Sequence, residues 1–335
     1  MNNPFVSVCV PVYNGEQYLG KTISSLLTQD YENYEVVIID NASTDSTPKI
    51  AKSFNDKKLR YVRFEELVSF QDNWSRSFDV ANGKYLSICH ADDTYEPNFI
   101  STNTAFLDSH PHLSAVFSSV NLISSNGTKI GELNRPVSLP EELDARLLVH
   151  FCVDEGYFPL ICPTFTVSKS VAEKCGRFDN SFRFAADMDY YFRLLKFGNI
   201  GFLNEHLMNY RQHPAQGSVN LNNTTDTQSE FFRILEVFCQ HNNIHISKEE
   251  SKKLNTYKRW GAVIDAISYA RFGNTVIAFE KTKSSIHLSD FFINFPSPKF
   301  LFRGLFSTSF LISQYLHLGK VFADLVWWYR QKRRS

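Results

Sequence analysis

The chain has 335 residues, and 43% of them are hydrophobic, so it can bury a sizeable core and disorder is not expected. The 35 basic residues balance 35 acidic ones, which excludes non-specific nucleic-acid binding through overall charge. The charge is uneven, however, because residues 299–335 hold seven basic residues and one acidic residue, which leaves +6 there and −6 on the rest.

The first hundred residues alternate between strand and helix patterns. Runs of apolar and β-branched residues predict buried strands at 6–12, 34–40, 59–64 and 84–89. Apolar residues at helical spacing lie between these runs, and Trp74, Phe78 and Ala81 are predicted to form the inner face of the third helix. Repeated β-α-β units indicate a mainly parallel sheet with right-handed crossovers.

Acidic and polar residues follow two of these strands. Asp40 ends the second strand, and the segment from His90 to Asp93 follows the fourth. Ligands of parallel α/β sheets bind at the carboxyl ends of the strands. We therefore expect both groups at one edge of the sheet.

Beyond residue 110 the pattern predicts fewer strands. A strand is expected at 113–123 and a helix at 187–198. The inner face of that helix is predicted to comprise Met188, Tyr191, Phe192 and Leu195. Residues 228–283 are helical in composition, and the segment "NFPSP" at 294–298 interrupts the helical pattern.

The C-terminal segment predicts a basic amphipathic helix. Its apolar face advances by four and three residues through Leu311, Tyr315, Leu318, Phe322 and Leu325. The sequence thus divides into an α/β domain at 1–220, a helical region at 221–295 and this C-terminal helix at 296–335.

The cysteines and the N-terminal residues indicate a cytoplasmic chain. The six cysteines are scattered without a C-x-x-C pair or a short metal-ligand spacing, which is typical of buried, reduced thiols in a cytosolic protein. The first residues, "MNNPFVSV", lack the basic and apolar regions of a secretory signal. No uninterrupted apolar stretch of about 18 residues predicts a transmembrane helix.

The first strand is not followed by a glycine-rich phosphate-binding loop. The segment "PVYNGEQYLG" contains neither G-x-G-x-x-G nor a P-loop. A nucleotide diphosphate would then need a divalent cation between its charge and nearby carboxylates, and Asp92 and Asp93 are placed to hold one. The alternative is a solvated turn in which one of these residues caps a helix that begins near Pro97.

Two stretches carry a resemblance to a known family. They are "VSVCVPVYNGEQYLGKTISSLLTQDYENYEVVIIDNASTDST" and "GKYLSICHADDTYEP". With later segments they make residues 6 to about 214 similar, in order, to the inverting family 2 glycosyltransferases of bacterial surface-polysaccharide synthesis. The resemblance implies the α/β GT-A fold of nucleotide-diphospho-sugar transferases, with a mainly parallel central sheet and here a C-terminal helical extension.

The resemblance implies a nucleobase beside two strand ends. The residues implied are Pro11, Tyr13, Asn14, Asp40 and Asn41. The family pattern has a second acid where this chain has Asn41, and an amide donates as well as accepts, which leaves the base open. Uracil or thymine is favoured because both present an imide N–H that Asp40 can accept. Tyr13 is expected either to stack on the base or to be a core aromatic at the strand end.

The DxD motif of the family falls on His90, Ala91 and Asp92. The resemblance implies that Asp92 contacts the nucleotide and holds a Mg or Mn ion on its diphosphate, with Asp93 beside it in the loop. His90 replaces the first carboxylate of the motif and is a candidate for contact with ribose or phosphate.

The segment "GRFDNSFRFAADMDYYFRL" at 176–194 resembles the acceptor side of the family, where Asp187 matches the general base. An attacking hydroxyl needs a group that takes its proton. We expect the helix N-terminus to lower the pKa of Asp187 and keep it ionised. The alternative is that Asp187 is only an N-cap, and Asp189 is a candidate contact for acceptor hydroxyls.

The segment "YRQHPAQGS" at 210–218 resembles the Arg-x-His element of non-processive members. Arg211 is a candidate to meet the diphosphate charge, and His213 is either a metal or phosphate contact or a surface histidine. The Gln-x-x-Arg-Trp element of processive synthases is missing, which favours addition of one or a few sugars.

These residues predict a metal-dependent inverting glycosyltransferase that moves a hexose or deoxyhexose from a UDP or dTDP sugar to a saccharide hydroxyl. The acceptor is expected to be a lipid-linked glycan of O-antigen or capsule, at the inner face of the cell membrane. The C-terminal helix is expected to bind that anionic surface, or alternatively to pack on protein.

Two other functions compete with this prediction. A non-catalytic nucleotide- or carbohydrate-binding scaffold of the same fold is the main rival, because His90 replaces an acid. A sugar-nucleotide pyrophosphorylase is disfavoured because it needs a glycine-rich, basic loop after the first strand.

Overall fold

The computed structural model of the chain describes residues 3–214, 216, 227–271, 275–285, 306–307, 309–314 and 318–334. The chain forms two compact units. The first comprises Met1–Leu148, Phe158–Phe182 and Ala186–His213, and the second comprises Val149–Tyr157, Arg183–Ala185 and Pro214–Ser335, as far as these ranges are described. The predicted break at 294–298 lies outside the described residues, as does Tyr315.

A mixed sheet is the centre of the first unit. Its strands are β1 (Val6–Val12), β2 (Tyr34–Asn41), β3 (Leu59–Phe64), β4 (Tyr85–Ile88), β5 (Thr94–Tyr95), β6 (Leu113–Ser124), β7 (Lys129–Leu133), β8 (Glu142–Leu143), β9 (Thr166–Ser168) and β10 (Asn199–Gln212). Their order is β3-β2-β1-β4-β9-β6-β10-β5, with β7 beside β6 and β8 beside β10. The long strands pair in parallel, as in β3-β2-β1-β4 and β6-β10, whereas the shorter strands pair antiparallel. The predicted α/β fold with a mainly parallel sheet is confirmed.

Seven helices lie in the first unit or begin in it, within the described part of the chain. They are α1 (Leu19–Leu27), α2 (Thr47–Ser53), α3 (Phe70–Val80), α4 (Phe99–Ser109), α5 (Ala145–Glu155), α6 (Lys169–Cys175) and α7 (Ala186–Leu194). Because helices cover the sheet, β1 and β2 are buried along their whole length. That explains their unbroken apolar runs, in which each buried Val or Ile contributes about 1.5–3 kcal/mol.

The register of the parallel strands aligns their carboxyl ends. Val12 of β1 pairs with Asp40 of β2, and Asp40 pairs with Arg63 of β3. On the other side of β1, Cys9 pairs with Ile88, the last residue of β4. The loops that follow these strands therefore leave the sheet at one edge, as the sequence predicts.

The second unit is helical where it is described. Its helices are α8 (Thr227–His241), α9 (Lys248–Arg271), α10 (Thr275–Ser285) and α11 (Gly319–Arg334). Ala266 of α9, Ala278 of α10 and Ala323 of α11 are fully buried in one cluster with Phe310. The end of α5 is fixed to α9, because the Tyr257 hydroxyl donates to the Asp154 carbonyl oxygen at 2.8 Å.

The C-terminal helix differs from the predicted pattern. Its described part begins at Gly319, and among residues 319–326, whose burial is described, Gly319 and Ala323 are buried. Leu318 and Leu325, predicted on the apolar face, are 52% and 61% exposed. Within the described residues, no helix combines the length and the apolar character needed to cross a membrane.

Candidate active site

Side chains tie the loop after β1 to the loop after β2. The Asn14 side-chain oxygen accepts the Thr44 N–H at 2.8 Å, and the Asn14 N–H donates to the Ser43 hydroxyl at 2.9 Å. The next N–H, that of Gly15, donates to the Thr47 hydroxyl at 2.8 Å. Asn14 has φ +51°, a left-handed conformation that Asn adopts more readily than most residues. The two loops therefore present one continuous rim.

Tyr13 lies in the first of these loops and is 48% exposed, while Pro11 is buried within β1. This exposure does not fit the alternative that Tyr13 is a core aromatic. Its ring offers an accessible face beside the strand ends, which is what stacking on a planar ligand requires.

Asp40 is fully buried at the end of β2. One of its oxygens accepts the Ser43 N–H at 2.9 Å, and the other accepts from the Tyr61 hydroxyl at 2.5 Å and Arg63 at 2.9 Å. Burial and the hydrogen bond to Asp40 raise the pKa of Tyr61 to about 12, so its hydroxyl stays a donor. Three donors thus hold the Asp40 carboxylate in one orientation.

Asn41 uses both ends of its amide within the protein. Its NH₂ group donates to the Val68 carbonyl at 2.9 Å, and its oxygen accepts the Val68 N–H at 3.0 Å. Arg76 donates to the same oxygen at 2.9 Å. The Asn41 side chain therefore fixes the loop that connects β3 to α3.

The turn that follows β4 is fixed from two sides. The Thr22 hydroxyl of α1 lies 2.9 Å from the Ala91 carbonyl oxygen and 2.7 Å from that of Asp93. The His90 N–H donates to the Tyr95 hydroxyl at 2.9 Å. These contacts fix the backbone on which the two carboxyls stand.

Arg211 of β10 holds the same turn, and its side chain is buried. Its backbone N–H donates to a carboxyl oxygen of Asp93 and its Nε donates to the Asp92 carbonyl, both at 2.7 Å. Its guanidinium also lies 4.7 Å from the centre of the Tyr18 ring and 3.3 Å from the carbonyls of residues 124 and 125. Arg211 thus braces the acidic turn from behind.

Asp92 and Asp93 experience opposite environments. A carboxyl oxygen of Asp92 lies 2.9 Å from Nε2 of His213. Burial alone would raise the pKa of Asp92, but the hydrogen bond with His213 and the charges of His213 and His90 outweigh it and lower that pKa. Burial and the charge of Asp92 raise the pKa of Asp93 well above its usual range. Two such neighbours resist joint ionisation unless a cation compensates them.

His90 completes this group. Its ring stacks on Trp74 of α3, with centroids 5.6 Å apart and 21° between the planes. Its Nδ1 lies 3.9 Å from the second carboxyl oxygen of Asp93. That oxygen and Nε2 of His90 are both buried, and neither has a hydrogen-bond partner in the part of the chain that the structure describes. Burial lowers the pKa of His90 and outweighs the charge of Asp92, which raises it.

These residues fit a divalent cation. Candidate ligand atoms of His90, Asp92 and Asp93 lie within 4.8 Å of one another, the one such cluster among the described residues. The predicted metal ligands are Asp92, Asp93 and His213, and His213 contacts Asp92 directly. Asp93 accepts a hydrogen bond from the backbone N–H of Arg211. One carboxyl oxygen of Asp93 is buried without a hydrogen-bond partner among the described residues, and a bound cation would supply the missing interaction.

Asp187 lies in the first turn of α7, where its carboxyl accepts the N–H of Met188 at 2.8 Å. The predicted lowering of its pKa is wrong: burial raises the pKa of Asp187 to about 6 and outweighs the backbone hydrogen bonds. Burial raises the pKa of the Cys162 thiol, and the charges of Asp187 and Asp93 raise it further. Asp187 and Asp93 therefore both add to the negative potential at this thiol.

Asp189 is engaged elsewhere. Its carboxyl pairs with Arg193 at 2.8 Å, one helical turn along α7. Arg193 also donates to the carbonyls of Cys175 and Arg177, each at 2.8 Å. Asp189 thus helps to attach α7 to the segment after α6.

Sequence reasoning did not identify several side chains of this site. Trp74 is predicted as a core residue of α3, yet it supports His90. Tyr18 contacts both His213, at 4.8 Å between ring centroids, and Arg211. In the sequence, Trp74 and Tyr18 are distinguished by their aromatic character alone, and core residues share that character. The partner of Asp40, Arg63, is signalled by its position at the end of the neighbouring strand.

Comparison with known proteins gives one family and several relatives. Residues 7–174, half of the chain, match the model of a family described as glycosyl transferase family 2. An uncharacterized glycosyltransferase of Rickettsia typhi is 28% identical over 70% of this chain and 70% of its own length. The glycosyltransferase GlyG of Streptococcus pneumoniae is 26% identical over 62% of this chain and 70% of its own.

Two solved structures share the fold at lower identity. S. aureus TarS 1–349 in complex with UDP aligns with a TM-score of 0.56 and 17% identity, covering 93% of this chain and 91% of that one. The mannosyltransferase PcManGT from Pyrobaculum calidifontis, in complex with GDP-Man and Mn²⁺, aligns with a TM-score of 0.53 and 15% identity, covering 97% and 87%.

Proposed function

This chain belongs to glycosyl transferase family 2, and from that premise we propose that it is a metal-dependent, inverting transferase that uses Asp187 as its general base. It is a glycosyltransferase, and the expected GT-A type of α/β fold is confirmed. The observation that carries the proposal is the acidic turn after β4, where candidate ligand atoms of His90, Asp92 and Asp93 lie within 4.8 Å of one another. The burial of Asp187, which raises its pKa to about 6, supports its role as the base.

The proposed reaction is a single displacement at the anomeric carbon of the donor sugar. Asp187 takes the proton of the acceptor hydroxyl while the hydroxyl oxygen forms a bond to that carbon. The bond between the carbon and the diphosphate breaks on the opposite face, and the nucleoside diphosphate leaves with the electron pair. A base with a pKa of about 6 is ionised at pH 7 yet basic enough to accept the proton, a match worth about 10²–10⁴-fold in rate.

The proposed cofactor is Mg²⁺ or Mn²⁺, held by Asp92 and Asp93 with His213 as a further contact. When bound, such an ion supplies positive charge that neutralises the diphosphate leaving group. The protein contributes a rigid turn, since Thr22 and Arg211 hold the backbone that carries both carboxyls. The Mn²⁺ in the PcManGT complex supports a divalent cation in this fold.

The proposed donor is a UDP or dTDP sugar, bound at the rim formed by the loops after β1 and β2. Tyr13 would stack on the base, with Asn14 and Asn41 supporting the rim. Asp40 would accept the imide N–H through the oxygen that accepts the Ser43 N–H. The TarS complexes with UDP and UDP-GlcNAc support this choice, whereas the GDP-Man of PcManGT marks the alternative.

A donor-binding screen tests this proposal. We expect UDP or dTDP sugars to raise the Tm of the purified chain in the presence of Mn²⁺, and GDP sugars to leave it unchanged. A transfer assay with the stabilising donor and a saccharide acceptor should then release the nucleoside diphosphate. Binding without release or transfer would favour the second candidate, a non-catalytic scaffold, for which His90 in place of a carboxylate is the motivating observation.

The proposed acceptor is a lipid-linked glycan of surface polysaccharide, reached by peripheral attachment to the inner face of the cell membrane. The support is an apolar surface on and before α11, formed by Leu318, Val321 and Leu325, which are 52%, 56% and 61% exposed. Lys320 is exposed between them. Residues 299–335 carry a net charge of +6, which favours anionic lipid.

A vesicle flotation assay tests this attachment. Deletion of residues 299–335 would also remove Phe310 and Ala323 from the core of the second unit, so substitutions are preferable. The triple variant Leu318→Gln, Val321→Gln, Leu325→Gln should lose most binding to phosphatidylglycerol vesicles because these side chains are exposed. Val276→Gln, on a valine of α10 that is 74% exposed, is the control. Equal flotation of the triple variant and the control would refute the attachment.

A further inference from the structure

We propose that His90 is itself a metal ligand and that it makes this site selective for transition-metal ions over Mg²⁺. The inference rests on the proposed function for the location of the ion. His90 stands at the position where the DxD motif of the family has its first carboxylate.

The distances suit a shared ion better than a hydrogen bond. Nδ1 of His90 and the second carboxyl oxygen of Asp93 are 3.9 Å apart, too far for a hydrogen bond. Two ligands that each lie about 2.1 Å from one ion are separated by at most about 4.2 Å. The ligand atoms of His90, Asp92 and Asp93 all lie within 4.8 Å of one another, so a closure of a few tenths of an ångström brings them onto one ion.

One of the ligand atoms is buried and unsatisfied. Asp93 is 1% exposed, and its second carboxyl oxygen has no hydrogen-bond partner among the described residues. Stacking on Trp74 holds the His90 ring, and the hydrogen bond from the His90 N–H to Tyr95 holds its backbone. An imidazole is therefore held beside a buried carboxyl oxygen that solvent does not satisfy.

The donor set determines which ions are favoured. Asp92 and Asp93 offer oxygen, whereas His90 offers nitrogen, and His213 places a second imidazole 2.9 Å from Asp92. Mg²⁺ prefers oxygen ligands and keeps its waters. Imidazole suits transition metals, whose affinity for nitrogen donors rises from Mn²⁺ through Co²⁺ to Ni²⁺. A site with imidazole donors therefore favours Co²⁺ and Mn²⁺ over Mg²⁺.

Metal titration of the chelator-treated chain tests the inference without relying on sugar transfer. Co²⁺ binding is followed by visible absorption and Mg²⁺ binding by competition, and pulsed EPR of the Mn²⁺-loaded chain detects coordinated imidazole nitrogen. The wild type should bind Co²⁺ at least tenfold more tightly than Mg²⁺. His90→Asp should reduce that ratio at least tenfold and weaken the nitrogen signal. His245→Asp, on an exposed histidine of the second unit, should change neither.

His90→Gln serves as a second variant without added charge, and circular dichroism verifies that each variant is folded. An unchanged ratio and nitrogen signal in folded His90→Asp or His90→Gln would overturn the inference, as would a wild type without preference over Mg²⁺. A chain that transfers sugar but binds Co²⁺ no more tightly than Mg²⁺ retains its proposed function and refutes this inference. A chain that shows the metal preference without transfer does the reverse.

Discussion

Replacing Asp187 by Asn should abolish most catalysis while stabilising the fold. The amide keeps the size of the carboxyl but accepts no proton, so turnover should fall by about 10²–10⁴-fold while donor binding is retained. The fold should gain stability because the native structure disfavours the charge: burial raises the pKa of Asp187 to about 6 from an ordinary 3.8.

The magnitude of the stabilisation follows from this shift. Between pH values of about 4 and 6 the carboxyl of Asp187 ionises in the unfolded chain but stays protonated in the folded one, so the native state loses stability as the pH rises. Above pH 6 the loss levels off at about 3 kcal/mol, because one pKa unit corresponds to about 1.4 kcal/mol. This value is an upper figure, since the side chain is only partly shielded from solvent. Asp187→Asn removes the loss, which corresponds to about 4 °C in Tm for a chain of 335 residues.

The assay compares turnover and thermal unfolding of the two proteins between pH 4 and 8. Wild-type kcat/KM should fall about tenfold per pH unit below pH 6, and the gain in Tm of Asp187→Asn should disappear near pH 4. Asp189→Asn is the matched control, because loss of its ion pair with Arg193 should lower stability with little effect on turnover. Near wild-type turnover of Asp187→Asn, or a Tm gain that persists at pH 4, would refute the reasoning.

Three further substitutions test the supporting structure. Asp92→Asn should weaken binding of the nucleotide donor at least about tenfold with Mn²⁺ and leave binding without Mn²⁺ unchanged, as calorimetry can measure; an equal loss in both conditions would contradict a role in holding the cation. Arg211→Lys should lower the free energy of unfolding by about 2–4 kcal/mol in urea, because a buried guanidinium with several carbonyl partners is lost; an unchanged midpoint would show that the brace is not needed. Gly83→Ala should cost about 1–3 kcal/mol in the same assay, because a Cβ there would lie 2.5 Å from the backbone N of Ser7; full stability would mean that the neighbouring backbone can move at no cost.

The central strands could be predicted because burial on both faces leaves a continuous apolar run. β1 is predicted and observed at residues 6–12, and β3 at residues 59–64. The strands at 94–95, 142–143 and 166–168 carry no such signal. They are short, and they form because they pair with segments that are distant in the sequence. Local pattern contains no information on such pairing.

The buried face of α3 shows a second limit of sequence reasoning. Trp74 and Phe78 are only partly buried, whereas Gln71 and Asn73, like the serines at 75 and 77, are almost fully buried. Gln71 donates to the carbonyl of Phe182 at 2.6 Å. Because their hydrogen-bond partners lie in distant segments, these polar residues can be buried at low cost, which no periodicity predicts.

The candidate site could be located from the sequence, but its electrostatics could not. The positions of Asp92 and Asp187 follow from strand ends and from the resemblance to a family. The direction of the pKa shift of Asp187 depends on how deeply α7 buries its first turn, and burial outweighs the helix terminus. Stacking of Trp74 on His90 likewise requires the approach of α3 to the end of β4, which only the folded chain reveals.

The ties between the loops after β1 and β2 have a consequence for the kinetics of association. Asn14, Gly15 and Glu16 each donate a backbone N–H to a side chain near the start of α2, across 29, 32 and 29 residues. A ligand that lands on this rim meets groups that are already ordered, so little conformational entropy is lost in the encounter. Slow hydrogen exchange at the amides of Asn14 and Thr44 in the ligand-free protein would be the signature of such a preassembled surface.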